Sequence, residues 1–313
     1  MIVVFGSINV DLTARVERFP QPGETIAGAS FAIVPGGKGA NQALAARRAG
    51  AQVSMVGAIG NDAFAQAALS GLRDAGVDVD SVRRTEGSTG TALIVVDATG
   101  QNSIVVVAGA NGDVAARELI DAALGPGTTL VLQLEVPLDA VVQVARRARS
   151  RGARIVLNAA PAMALPEALL SAVDVLIVNE NEAQALATGC AVPSSPEAFA
   201  IAMHERFGCA TIVTLGARGA IAAAAGSFLR AAAPRVDVVD TTGAGDALVG
   251  ALAAALDRGM PWQRALAEGV ASGALACTSA GAQAALPTAE AIGRLAADVE
   301  PTIMSNSLDS GGC

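Results

Sequence analysis

The sequence predicts an α/β protein built on a doubly wound, mainly parallel sheet, with a small β lid attached. Three observations predict it. Short runs of consecutive apolar residues, such as Ile2-Val3-Val4-Phe5, read as strands buried on both faces, the habit of parallel sheets. From Leu130 onward such runs alternate with helical patterns, as right-handed βα crossovers require. Two β-rich stretches, 13–34 and 91–107, break the alternation and are assigned to the lid. With 313 residues, 52% hydrophobic and only 16% charged, the chain can bury a full core, and no linker or repeat divides residues 1–300 into two domains.

Taken in order, the strand Ile2–Phe5 runs into Gly6-Ser7-Ile8-Asn9-Val10-Asp11. Asn9 and Asp11 therefore fall past a strand's carboxyl end, where open α/β sheets bind ligands, although Asp11 equally fits a solvated turn. Residues 13–34 alternate poorly and carry Pro20 and Pro22, which suits a turn with short strands. Gly36-Gly37-Lys38-Gly39-Ala40-Asn41 precedes a helix over 42–49, closed by Gly50, with Arg47 and Arg48 where the helix dipole favours cations. A strand over 52–57 follows, then a helix capped by Asn61-Asp62 and running to about Ala75. Thr91–Val96 and Ser103–Val107 form a hairpin across Ala98-Thr99-Gly100-Gln101. Strands at 130–134, 154–157, 173–178 and 211–215 alternate with helices at 138–149, 180–187 and 196–207. The tail, 301–313, is expected to be disordered.

Composition removes several classes of function. A net charge of −8 argues against a nucleic-acid partner. No apolar stretch is suited to lipid, and the start of the chain lacks the features of a signal peptide, so a cytoplasmic protein is expected. The cysteines (Cys190, Cys209, Cys277, Cys313) show no C-x-x-C pairing, and His204 is the single histidine, so zinc clusters and disulfide frameworks find no support. Carboxylates, lysine and backbone amides are left to carry the chemistry.

The densest candidate is Asp240-Thr241-Thr242-Gly243-Ala244-Gly245-Asp246, followed by an apolar helical run from Ala247 to Leu256. Glycines at 243 and 245 let bare N–H groups approach an anion at a helix start, where the dipole is positive. Asp246 in that pocket suits a general base that takes a proton from a hydroxyl attacking a bound phosphoryl group. An ordinary helix cap fits the same stretch. Gly-Gly-Lys-Gly at 36–39 is no P-loop, because no Ser or Thr follows Lys38, and Leu248 replaces the third glycine of a dinucleotide fingerprint. Further polar residues stand at strand ends: Glu135, Asn158, Asn179 and Glu182, and the turn Thr214-Leu215-Gly216-Ala217-Arg218-Gly219. Asn179 and Glu182 also have the spacing of a capping box.

These residues together resemble the ribokinase-like (PfkB) sugar kinases. Both family signatures are present: Gly36-Gly37-Lys38-Gly39-Ala40-Asn41 with Gly50 and Gly60 after it, and Asp240 to Asp246. Gly6 to Asp11, Gln133-Leu134-Glu135, Leu157 to Ala162, Asn179 to Glu182 and Thr214-Leu215-Gly216 match as well, so the likeness spans Ile2 to about Leu295. The resemblance implies ATP-dependent phosphorylation of a sugar hydroxyl, D-ribose to D-ribose 5-phosphate first among the candidates. Another sugar, a nucleoside, or a non-catalytic sugar-binding module are the alternatives.

By resemblance, Asp246 is the base and Gly243, Ala244 and Gly245 form the anion hole. Asn9, Asp11, Gly37, Lys38, Asn41 and Glu135, with Asp246, would hold the sugar. Asn179 and Glu182 would organise phosphate and Mg²⁺, and Thr214, Gly216, Arg218 and Gly219 would line the ATP site. A monovalent cation, K⁺ by expectation, would lie among Asp240, Thr242, Ala276, Ser279, Gly281 and Ala285. Two residues depart from the family pattern: Ala285 replaces a serine oxygen, and Val270 stands near the adenine in place of Asn or His. Alternation puts Ile94, Val96, Ile104 and Val106 on one apolar side of the lid, and the resemblance implies that lids pair in a homodimer.

Overall fold

The structure is a computed structural model that describes residues 1–304. The chain opens with β1 (Ile2–Phe5), whose four apolar residues are all buried. It then leaves the main sheet for β2 (Asn9–Arg15) and β3 (Ser30–Gly36), and returns in helix α1 (Lys38–Arg48). Strand β4 (Val53–Ile59), helix α2 (Phe64–Asp74) and β5 (Val82–Arg84) follow, then the hairpin β6 (Gly90–Val96) and β7 (Asn102–Val107). From β8 (Thr129–Leu132) the order is α3 (Leu138–Ser150), β9 (Arg154–Asn158), α4 (Glu167–Leu170), β10 (Val175–Asn179), α5 (Glu180–Cys190), α6 (Pro196–Phe207) and β11 (Ala210–Thr214). The chain closes with β12 (Ala220–Ala224), β13 (Ser227–Ala231), α7 (Ala244–Asp257), α8 (Trp262–Ala276), α9 (Ala289–Ala296) and β14 (Thr302–Met304).

The main sheet has ten strands in the order β14-β13-β12-β11-β10-β9-β8-β1-β4-β5. From β5 to β11 neighbours run parallel, and β12, β13 and β14 are antiparallel additions at one edge. The expected doubly wound, mainly parallel sheet is present. Its core lies in two apolar layers: α1, α2, α7, α8 and α9 cover one face, and α3 to α6 the other. The covering helices change face between β1 and β8, so the crevice at the carboxyl ends of those two strands is the switch point where such sheets bind ligands. Among the described residues no helix is long and apolar enough to cross a membrane.

The lid is a separate sheet of four strands, β3-β2-β6-β7. It begins at Asn9 rather than near Thr13, so Asn9 and Asp11 are residues of a lid strand and not of the turn after β1. Register places Thr13, Ile94 and Ile104 side by side, and Asp11, Ala92 and Val106 likewise, so the apolar side named in the sequence is the one that carries Asp11. The opposite side is also apolar, with Phe31, Ile33, Leu93 and Val105 exposed. The lid therefore presents two apolar faces, not one.

Three further expectations differ from the structure. Helix α1 starts at Lys38, four positions before the expected start, because Gly37 (φ +88°) turns the chain into it directly. Residues 302–304 were expected in a disordered tail and instead form β14, paired to β13; residues 305–313 lie outside the described residues. The β12–β13 hairpin closing the sheet has no counterpart in the sequence reading.

Candidate active site

The switch-point crevice gathers side chains from distant segments. Gly243, in the left-handed region at φ +78°, turns the chain into α7 and places Asp246 in its first turn. A Cβ on Gly243 would stand 3.0 Å from Ala282 Cα, so glycine is required both by the turn and by the packing. At Gly245 nothing lies within 4 Å of where a Cβ would be, which leaves the helix N-terminus open to an approaching anion. Asp246 is only 7% exposed. Its Oδ2 accepts from Asn41 Nδ2 at 3.0 Å and its Oδ1 from Gln42 Nε2 at 2.9 Å. Burial pushes its carboxyl up, while Lys38 and the two amides pull it back and Glu135 adds to the rise.

Around this carboxylate lie the expected sugar ligands. Gly37 brings α1 so close to the lid strand that a Cβ there would stand 2.8 Å from Asn9 N. Gly36 makes room for Asp11, whose oxygens would lie 2.5 Å from a Cβ at that position. Asn9 is oriented by Asn111, which donates to its Oδ1 at 2.6 Å. Glu135 Oε2 accepts from Ser7 Oγ at 2.6 Å and from Lys38 N at 2.9 Å, tying the end of β8 to the start of α1. Burial, Glu135 and Asp246 push the Asp11 carboxyl up to about 6. Burial opposes the charge on Lys38, yet Asp246, Glu135 and Glu182 outweigh it and hold its ammonium above the usual range. The cation is thus shared by three carboxylates.

The same cavity is lined further out by Asn158, Asn179, Glu182, Thr214, Gly243, Gly245 and Val249. Asn179 and Glu182 do form the capping box: Glu182 N donates to Asn179 Oδ1 and Asn179 N to Glu182 Oε2, both at 2.8 Å. Capping and pocket lining coexist, since only one carboxylate oxygen of Glu182 is used. Burial raises the Glu182 carboxyl, against the Asn179 N–H and Lys38, with Asp246 adding to the rise. Gly216 (φ +58°) and Gly219 (φ +90°) shape the turn after β11. A Cβ on Gly219 would meet Ala231 O at 2.0 Å, whereas Gly216 opens to free space. Arg218 is exposed and pairs with Glu180.

Of the residues expected at the monovalent-cation site, three are linked directly. Asp240 Oδ1 accepts from Thr242 N at 2.9 Å and Thr242 Oγ1 at 2.7 Å, and Oδ2 accepts from Gly281 N at 2.9 Å. Although burial opposes it, these bonds and Arg15 hold the Asp240 carboxyl below its ordinary value. Ala276 ends α8, and the next carbonyl, of Cys277, accepts from Val239 N and Asp240 N. Ser279 and Ala285 sit in the following loop, where Ala285 N donates to Gly281 O at 3.2 Å. No group of three or more His, Cys, Asp or Glu that could hold a metal is found among the described residues.

The sequence reading missed Gln42, Gln133 and Gln283. Gln133 Nε2 donates to Gln42 Oε1 at 2.7 Å, and Gln283 Nε2 to Asn41 Oδ1 at 3.1 Å. Neutral amides give no charge signal by which to find them.

A buried carboxylate at an open helix N-terminus, with a lysine and further carboxylates near it, is an arrangement that phosphoryl transfer to a hydroxyl can use. Residues 1–289 match the pfkB family carbohydrate kinase family, and the chain belongs to it. Ribokinase of Schizosaccharomyces pombe is 38% identical over 302 residues, covering 92% of this chain and 95% of its own length. Ribokinase of Bacillus subtilis is 38% identical over 290 residues, covering 92% and 96%. Among solved structures, ribokinase of Thermotoga maritima superposes with a TM-score of 0.87 at 31% identity, covering 94% of this chain and 98% of that one. Arabidopsis thaliana ribokinase complexed with ribose and ATP superposes at 0.84 with 30% identity, covering 94% and 98%.

Proposed function

We propose that this carbohydrate kinase transfers the γ-phosphoryl group of ATP to the 5-hydroxyl of D-ribose. The observation that carries the reading is Asp246. It is buried beside a glycine-opened helix N-terminus, held by two amides, and neighboured by the sugar-facing groups Asp11 and Lys38. The full-length similarity to ribokinases supports ribose over other sugars.

Asn9, Asp11, Gly37, Lys38, Asn41 and Glu135 bind and orient the sugar, fixing the acceptor hydroxyl against Asp246. Asp246 takes the hydroxyl proton as the oxygen attacks phosphorus. Gly243, Ala244 and Gly245 direct backbone N–H groups at the charge on the transferring phosphoryl oxygens. Thr214, Gly216, Arg218 and Gly219 line the nucleotide end. Asn179 and Glu182 would hold Mg²⁺ through water beside the phosphates, where the ion would neutralise developing charge. Asp240, Thr242, Gly281 and nearby carbonyls would hold K⁺ behind the anion hole, with Ala276, Ser279 and Ala285 forming the wall. The enzyme works as a homodimer, its lids pairing through apolar faces that leave Phe31 63% and Val106 60% exposed in the single chain. It acts in the cytoplasm, where ATP is supplied.

A coupled ADP-release assay across D-ribose, 2-deoxyribose, hexoses and nucleosides tests the reading. D-ribose should give the highest kcat/KM; a preference for 2-deoxyribose would place the chain with the deoxyribokinase of Salmonella typhi, to which it is 34% identical.

A further inference from the structure

The amides around Asp246 form a longer chain than base catalysis alone needs. A carboxamide is two-sided: flipped by half a turn, it offers an oxygen where it had offered N–H. For Asn41 or Gln42 that flip would set an amide oxygen against the buried Asp246 carboxylate. In each case a second amide stands behind the first and donates to its oxygen, and for Gln42 the flip would also break its Nε2 bond to Asn158 Oδ1 at 3.0 Å. Gln133, just past β8, donates to Gln42 Oε1 at 2.7 Å, and Gln283, from the loop after α8, donates to Asn41 Oδ1 at 3.1 Å. Both outer glutamines are buried, at 0% and 5% exposure, and each leaves its own Oε1 buried with no partner. A side chain that merely filled space would turn to satisfy that oxygen. What each outer glutamine presents to the inner amide is its Nε2 donor. Glycines make room for both: a Cβ on Gly6 would stand 1.9 Å from Gln133 Oε1, and one on Gly71 2.7 Å from Gln283 Oε1.

We propose that Gln133 and Gln283 are positioning residues, which lock the Gln42 and Asn41 amides donor-first onto the two oxygens of Asp246 and so hold the carboxylate in one orientation. The proposal rests on the reading of Asp246 as the base. With one donor fixed on each oxygen, the carboxylate stays ionised against its burial, and each oxygen keeps a lone-pair site for the reacting hydroxyl. The charged groups that also face it are Lys38 from α1, Asp11 from β2, Glu135 after β8 and Glu182 from α5. Gln283 also follows Gly281 by two residues, and Gly281 N donates to Asp240, so the loop that closes the cation site also orients the base.

The test is kcat and sugar KM as functions of pH for Gln133→Met and Gln283→Met, which keep length and lose the donor. Gln133→Leu and Gln283→Leu, which also lose the donor and add no charge, stand in for whichever methionine variant does not fold. Once its partner amide can flip, Asp246 needs a higher pH to ionise. The acid limb of kcat should therefore move up by about half to one pH unit, with an about three- to tenfold fall in kcat on that limb and sugar KM within about twofold. In an Asp246→Asn background the same substitutions should add no further loss. If Asp246→Asn keeps near-normal kcat, the base assignment fails whatever the glutamines do. If Asp246→Asn is inactive but the glutamine variants keep an unmoved acid limb, or lose activity equally at every pH, the positioning role is wrong.

Discussion

Asp11 offers the sharpest test of how the site is held together. Its carboxyl is pushed from 3.8 to about 6, first by burial and then by Glu135 and Asp246. A raised pKa in the folded state means that the folded protein binds the proton more tightly than the unfolded chain. The stabilising contribution is then fully present below about pH 4 and is lost as pH rises through about 6. Two pK units correspond to about 3 kcal/mol, and because Asp11 keeps some contact with solvent, a working range is about 1.5–3 kcal/mol of destabilisation above pH 6. Asp11→Asn removes the charge and keeps the shape. In the absence of sugar it should melt about 3–6 °C above the wild type at pH 8, at roughly 2 °C per kcal/mol for a chain of this size, with the difference vanishing near pH 4. The same substitution should weaken D-ribose binding about 10- to 100-fold, because a charged acceptor for sugar hydroxyls is lost. Scanning calorimetry from pH 4 to 8 and titration calorimetry with ribose read the two effects. A melting difference that does not grow with pH, or unchanged ribose affinity, would refute the reasoning.

Asp246→Asn keeps the shape but can accept from only one of the two amides and cannot take the hydroxyl proton; kcat should fall about 10²- to 10⁴-fold while titration calorimetry finds sugar and ATP binding largely kept. Gly37→Ala would put a Cβ 2.8 Å from Asn9 N at a φ of +88°, so it should lower thermal stability and raise sugar KM together; a variant with wild-type KM would show that this approach does not shape the sugar site. Ile94→Asp with Ile104→Asp sets two carboxylates side by side on the lid and should yield monomers with weakened sugar binding. Light scattering that finds the wild type monomeric at micromolar concentration would remove the dimer.

Much of this was legible because local signals agreed with the final packing. Helix α6 has the same ends in sequence and structure, with Pro196 at its start and Gly208 in the left-handed region after its end. The strand β1 was equally plain, since four consecutive apolar residues buried on both sides have few other readings. The start of α1 was misplaced because Lys38 and Gly39 look like loop, and their N–H groups find partners only in the distant Glu135 and Ser7 side chains. Strand β12, Ala-Ile-Ala-Ala-Ala, carries helix-favouring residues, and its pairing with β11 and β13 decides the outcome. In the site, charged and glycine-rich residues were found by type and spacing. Gln42, Gln133 and Gln283 were not, because their meaning lies in partners that are 91 or more positions away in sequence.

The chain passes from β1 into the lid across three residues and comes back through Gly37 straight into α1, so Asn9 and Asp11 ride on the cover itself while Lys38 and Asn41 stand on the base. On the proposed reading, recognition of the sugar is thereby split between two bodies, and neither half of the ligand set is complete until they meet. A sugar that offers all its hydroxyls bridges the seam and draws the halves together. One that lacks a hydroxyl leaves the seam ajar, with Asp246 and the bound phosphates open to water. Selectivity in such a protein resides less in how tightly a sugar sits than in whether it completes the enclosure before phosphorus is attacked.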